Sequence, residues 1–205
     1  MIINKKYKFL YLHIQKTGGM SISESLMNLE GSYYIGNMHS FFSQYEDEIP
    51  DDYYKFSFVR NPFSRIVSFY KMILANKANN SNTFRSYLYQ HSSSFPAFLR
   101  ATDKIKEEFP DRGCIKKPYF KSIAFNQFDY LLDSKANLAF DFIGRFENLQ
   151  NDYNEVLKVL GINMLVLNKL NSSRPGDYRE FYSLQDIEFV YSMYKKDFSC
   201  FNYVF

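Results

Sequence analysis

The stretch YKFLYLHIQKTGGMSISESLMNL, Tyr7 to Leu29, decides how this chain is read. Phe9, Leu10, Tyr11, Leu12 and Ile14 form a short apolar and aromatic run, long enough for a buried strand and too short for a helix. Gln15-Lys16-Thr17-Gly18-Gly19 breaks the run. From Met20 the period changes, and Ile22, Leu26 and Leu29 share one helical face. The local plan is a strand, a glycine turn with one lysine, and a helix. That plan builds an anion site, because the N–H groups at a helix N-terminus point outward, the helix dipole adds positive charge, and glycines let a phosphate reach the backbone. Lys16 puts a full charge at the mouth. The same residues also fit an ordinary β–α turn with Lys16 in solvent and Ser21 and Glu24 as a capping box. The stretch is not a Walker A loop: the lysine precedes the glycines, and no Gly-Lys-Ser/Thr run occurs anywhere in the chain.

A second unit repeats the plan. YKFSFV, 54–59, reads as a strand and stops at Arg60-Asn61-Pro62. Asn61 is a good N-cap and Pro62 a good first helical residue. Phe63, Ile66, Val67, Tyr70, Ile73 and Leu74 then recur at helical spacing as a core stripe, with Ser64, Ser68 and Lys71 on a flank beside it. Tyr33 to Gly36, Phe128 to Leu132 and Phe140 to Arg145 read as further strands. Phe41 to Glu48 reads as a short helical segment, and Thr83 to His91 and Phe95 to Phe109 as two helices. Another helix follows from Leu149 and is closed by Gly161; a last amphipathic one opens at Ser183 and Asp186. Strands alternating with helices predict an α/β fold with a central parallel sheet covered on both sides, whose ligands bind at the carboxyl ends of the strands, where both turns lie. Residues 76–126 are expected to be a mostly helical insertion, a common place for substrate contacts.

The chain has 205 residues, the size of a single domain with an insertion, and its 22 Phe and 18 Tyr supply ample core material. A net charge of +3 without a basic run suits an anionic small ligand or a glycan and does not point to nucleic acid. Cys114 and Cys200 make neither a disulfide framework nor a four-ligand zinc site, and free thiols in a reducing compartment are expected. No apolar run reaches membrane-spanning length, and Lys5-Lys6 leads into the first strand without a signal-peptide pattern. These features predict a cytoplasmic protein with no membrane span. The abundance of Phe, Tyr, Asn and Lys suggests a bacterial source. Oligomeric state is not legible.

HIQKTGGMSI at 13–22 and FSFVRNPFSRIVSFY at 56–70, in this order, resemble the two nucleotide motifs of the PAPS-dependent sulfotransferases, in the branch that includes Golgi carbohydrate sulfotransferases and their bacterial relatives. FIGRFENL at 142–149, YKKDF at 194–198 and the closing FNY extend the resemblance over most of the chain except the insertion. Gln15 stands where the family usually has proline, and Met20 where it usually has threonine. The resemblance implies a P-loop-like three-layer fold that binds 3′-phosphoadenosine 5′-phosphosulfate (PAPS) without a metal. It implies that Lys16 contacts the phosphosulfate and the leaving oxygen. Thr17, Gly18, Gly19, Met20, Ser21 and Ile22 would then wrap the 5′-phosphate, and Arg60 and Ser68 would hold the 3′-phosphate. SSRPGDYREFY, 172–182, resembles the family's mobile loop, with Arg174 a second 3′-phosphate ligand and Gly176 permitting close approach.

Sulfuryl transfer needs a cation for the leaving phosphate and a base for the acceptor hydroxyl. Lys16 suits the first. Among three histidines, His39 sits in the loop between the two motifs, where this branch often carries its base; as an alternative, it caps a helix or is solvated. His13 reads as a hydrogen-bonded strand-end residue, His91 as surface, and Arg145 with Glu147 as a structural anchor. The expected activity is transfer of a sulfuryl group from PAPS to a hydroxyl, of a carbohydrate or glycolipid. Two other readings stand beside it: a nucleotide kinase or NTPase on a related fold, and a non-catalytic PAPS- or PAP-binding protein.

Overall fold

The computed structural model describes residues 1–75, 83–108, 123–168 and 177–205. Two compact units are found: one from the described parts of 1–60 and 127–171, the other from those of 61–126 and 172–205.

The first unit holds the sheet. Its strands are β1 (Ile2–Asn4), β2 (Phe9–Leu12), β3 (Ser32–Tyr34), β4 (Tyr54–Val59) and β5 (Phe142–Arg145), in the order β3-β1-β2-β4-β5. β2, β4 and β5 are parallel neighbours, with Leu12 opposite Ser57 and Phe58 opposite Gly144. β1 pairs antiparallel with both β2 and β3. The fold is therefore α/β with a sheet that is parallel at its centre and antiparallel at one edge, rather than wholly parallel as expected. β1 escapes sequence reading because it has three residues and turns at once through Asn4. The Asn4 carboxamide accepts from the Tyr7 N–H and donates to the Ser32 hydroxyl and the Glu30 carbonyl.

Helices α1 (Gly19–Met27) and α5 (Leu149–Val159) cover one sheet face. Phe9, Tyr11, Phe56 and Phe58 project there at alternate strand positions and join Ile22, Leu26, Tyr153, Val156 and Leu157 in a single core. α5 ends as predicted at Gly161, whose φ is +66°. Its N–H donates to Lys158 and that of Ile162 to Leu157, the paired bonds that close a helix through a left-handed glycine. Two sequence expectations fail locally. Phe128–Leu131 is a turn of 3₁₀ helix that buries the adjacent Tyr130 and Leu131, not a strand. Residues 42–48 hold two separate 3₁₀ turns rather than one helical segment.

Gly144 sits in β5 because the Phe58 ring fills the space its side chain would need: an added Cβ would lie 2.4 Å from that ring. Gly144→Ala is expected to lower the unfolding free energy by about 1–3 kcal/mol, the usual cost of overpacking, in urea melts with an unchanged slope.

The second unit is helical: α2 (Pro62–Ala75), α3 (Thr83–Gln90), α4 (Phe95–Glu108), α6 (Leu184–Met193) and α7 (Lys195–Phe201). α2 starts at Pro62 with the Asn61 carboxamide oxygen accepting from the Phe63 N–H, as the sequence predicts. Phe63, Ile66, Val67, Tyr70 and Ile73 are buried; Leu74, the last residue of the expected stripe, is exposed. Arg65 is almost fully buried and donates to the Phe125 carbonyl. Ser183 and Asp186 form the expected capping box, but the final helix breaks at Tyr194 into α6 and α7.

Candidate active site at the carboxyl end of the central strands

β2 and β4 run parallel, so the turns that follow them leave the sheet on the same edge. After Leu12 the chain stays buried through His13, Ile14 and Gln15. Lys16 then takes a left-handed backbone (φ +69°), and Gly18 another (φ +82°). For a residue with a Cβ this conformation costs about 1–2 kcal/mol, and such strain gathers at ligand-gripping turns. Thr17 is sealed inside and donates its hydroxyl to the Ile14 carbonyl at 2.8 Å, which ties the turn shut.

Gly18 is the N-cap of α1, and no side chain caps the helix there. The Ser21–Glu24 capping box is therefore not formed at this end. Both glycines are required by space, and Gly18 by its φ as well. A Cβ on Gly18 would lie 2.7 Å from Leu149, and one on Gly19 would lie 1.9 Å from the His13 ring. The first N–H groups of α1 are thus left without a side-chain cap, at a turn whose two glycine positions admit no side chain.

Arg60, the residue after β4, lies across this turn. Its Nη1 donates to the Lys16 carbonyl at 3.3 Å, and its guanidinium stacks 4.0 Å above the Phe146 ring. Its backbone is clamped by Gln127, which is fully buried: the Gln127 carboxamide accepts from the Arg60 N–H and donates to the Arg60 carbonyl, both at 2.8 Å. Burial, and then the Arg60 charge, push the Lys16 pKa down to about 8. No carboxylate pairs with Lys16 among the described residues. Two cations therefore converge on a backbone turn that also offers helix N–H groups, the electrostatics of an anion cradle.

His39 reaches the same turn from the loop after β3. Its Nδ1 lies 3.0 Å from the His13 carbonyl, and its ring meets the His13 ring edge-on, with centroids 4.7 Å apart. A carbonyl only accepts, so Nδ1 carries the proton and the basic lone pair is on Nε2. The loop is held by Ser40, whose hydroxyl accepts from the Asn37 N–H and donates to the Asn37 carbonyl.

The structure thus brings together Lys16, Thr17, Gly18, Gly19, Arg60 and His39. Met20 is 47% exposed beside the turn, and Ser21 is buried on α1. Ile22 sends its side chain into the sheet core, which leaves only its backbone for a ligand. Ser68 lies half-buried on α2 of the second unit, one turn beyond Ser64. Arg174 and Gly176 fall outside the described residues, as does Cys114. Sequence reading missed Gln127, which no local pattern marks, and Phe146, which the FIGRFENL motif contained without revealing its place under Arg60. Among the described residues no group of three or more His, Cys, Asp or Glu side chains is placed to hold a metal, and no helix is long and apolar enough to cross a membrane.

A family model described as "Sulfotransferase family" matches residues 1–204. Carbohydrate sulfotransferase 10 of Xenopus laevis is 23% identical over 99% of this chain and 67% of its own length. Carbohydrate sulfotransferase 11 of Rattus norvegicus is 30% identical over 74% of this chain and 47% of its own length. That of Danio rerio is 24% identical over 99% of this chain and 66% of its own length. The chain thus spans from about half to two thirds of the curated relatives it matches. No solved structure matches it. The expectation of an enzyme in the carbohydrate branch of PAPS-dependent sulfotransferases agrees with these findings. The expectation of a bacterial, cytoplasmic protein does not stand, because the relatives it matches are carbohydrate sulfotransferases of vertebrates. It rested on residue usage, two cysteines and the want of a leader pattern, none of which bears on where a catalytic domain works.

Proposed function

The chain belongs to the sulfotransferase family, and on that premise we propose that it moves a sulfuryl group from PAPS to a hydroxyl of a carbohydrate acceptor. The observation that carries this reading is the convergence of two cations, Lys16 and Arg60, on the glycine turn at the start of α1. A P-loop-like arrangement is the reading of this strand–turn–helix unit that best fits the family.

The backbone N–H groups of residues 18–20, at the uncapped start of α1, bind the 5′-phosphate. The Arg60 guanidinium, held flat on Phe146, supplies oriented positive charge to the nucleotide's phosphates. His39 Nε2 takes the proton of the acceptor hydroxyl as its oxygen bonds to sulfur. Lys16 meets the bridging oxygen as the sulfur–oxygen bond breaks and the phosphate leaves with the electron pair. The protein aligns nucleophile and leaving group and balances charge, and no metal is needed for either task. The carbohydrate class of the acceptor follows the relatives' names.

The test is to incubate the purified protein with sulfur-labelled PAPS and a panel of neutral and uronic-acid-containing oligosaccharides. Label transferred to a glycan, with PAP released in equal amount, supports the proposal. PAP binding without transfer to any acceptor favours a binding protein. Magnesium-dependent ATP turnover favours a kinase or NTPase.

A further inference from the structure

His13 has no part in the chemistry above, yet three features converge on it. It is 4% exposed, and its ring fills the space a Gly19 side chain would need. Its backbone carbonyl anchors His39 Nδ1, while its ring presents an edge-on wall to the His39 ring. Its own Nδ1 has no hydrogen-bond partner among the described residues. A buried polar atom left without a partner costs stability, and a phenyl ring would avoid that cost. The ring is therefore held for its flat shape and its place, not for a hydrogen bond from Nδ1. Burial and the neighbouring His39 keep its pKa well below the ordinary histidine value, so it stays neutral beside the base.

We propose that His13 is a positioning residue that couples the phosphate turn to the base: its ring is the shared wall on which Gly19 and His39 both rest. With the wall in place the His39 ring is held edge-on with Nδ1 on the carbonyl. Without it the His39 ring loses its edge-on support, and Nε2 loses its aim at the acceptor. The role of His13 depends on that of His39 as base, and His39→Ala tests the latter by itself.

The experiment is a double-mutant cycle in kcat with PAPS and the oligosaccharide of the panel above that takes up label, with PAP affinity as the check on the fold. His13→Ala is expected to lower kcat about 10-fold or more, the effect of a misplaced catalytic group, with PAP affinity within about threefold of wild type. In the His39→Ala background the same change is expected to cost less than about twofold, because residues that act as a unit are non-additive. His13→Phe restores the flat wall and is expected to recover kcat to within about fivefold of wild type. Additive losses would overturn the coupling, as would wild-type kcat in His13→Ala. Equal damage in His13→Phe and His13→Ala would place the effect on the ring nitrogens and overturn the wall. If His13→Ala does not fold, His13→Leu, apolar but not flat, takes its place in the cycle with the same expected outcomes. A fully active His39→Ala would instead remove the base reading and leave the nucleotide site untouched.

Discussion

Lys16→Met is expected to lower kcat by about 10³-fold, the scale of losing a principal donor to a developing oxyanion. The folded protein should lose nothing by the change. Lys16 is a partly desolvated ammonium beside Arg60 with no carboxylate partner among the described residues, and methionine keeps its length without the charge. Its pKa gives the effect a pH signature. In the folded protein it is pushed down to about 8, against about 10.4 in an unfolded chain. Between those values the unfolded state holds more protons, so the destabilising contribution of the charged group, fully present below pH 8, is relieved as pH rises towards about 10.4. Ligand binding runs the other way. PAP affinity should fall as pH rises past about 8, when the ammonium loses its charge, and that decline should vanish in Lys16→Met. Denaturation and PAP titration at pH 7 and pH 10 measure both. A Lys16→Met variant with near-normal turnover, or PAP binding equally pH-dependent in both proteins, would remove Lys16 from the site.

The nucleotide end of this site was legible because it is local. An apolar run of strand length, a glycine pair and a switch to helical spacing mark the backbone plan around Lys16 without tertiary information. The Asn61-Pro62 start of α2 has the same character, since cap and first-turn preferences act within a few residues. What was not legible depends on contacts far apart in sequence. Gln127 clamps Arg60 across 67 positions, and a single glutamine just past the expected insertion carries no trace of that partner. Phe128–Leu131 is a short, mostly apolar run such as a strand would have, but its tertiary surroundings bury Tyr130 and Leu131 side by side in a 3₁₀ turn. The antiparallel edge of the sheet was lost for a related reason: β1 is three residues long, and its place is set by pairing with β2 and β3. His13 shows the limit from the other side. The motif named it, but the expectation of a hydrogen-bonded strand-end histidine missed that its Nδ1 has no partner among the described residues, and the ring's position between Gly19 and His39 exists only in three dimensions.

His39→Ala should separate chemistry from donor binding. Removing a general base costs about 10²- to 10⁴-fold in rate, and the loss is expected in kcat with PAP affinity nearly unchanged, because His39 touches the turn through the His13 carbonyl rather than through the phosphate-facing N–H groups. Tautomer makes the assignment specific. With Nδ1 committed to a carbonyl, Nε2 is the atom that accepts the proton, so a replacement must offer an acceptor at that distance from the backbone. Asparagine is too short, and His39→Asn should be as slow as His39→Ala. Added imidazole, which fits the space the ring leaves, should restore part of the rate to His39→Ala in proportion to its unprotonated fraction, and should do nothing for Lys16→Met. Turnover of His39→Ala at the wild-type rate would show that the acceptor proton leaves by another route. Loss of PAP affinity together with kcat would show that His39 serves the nucleotide turn instead. Slow turnover rescued by imidazole, with PAP still bound, places the base at the mouth of the loop after β3.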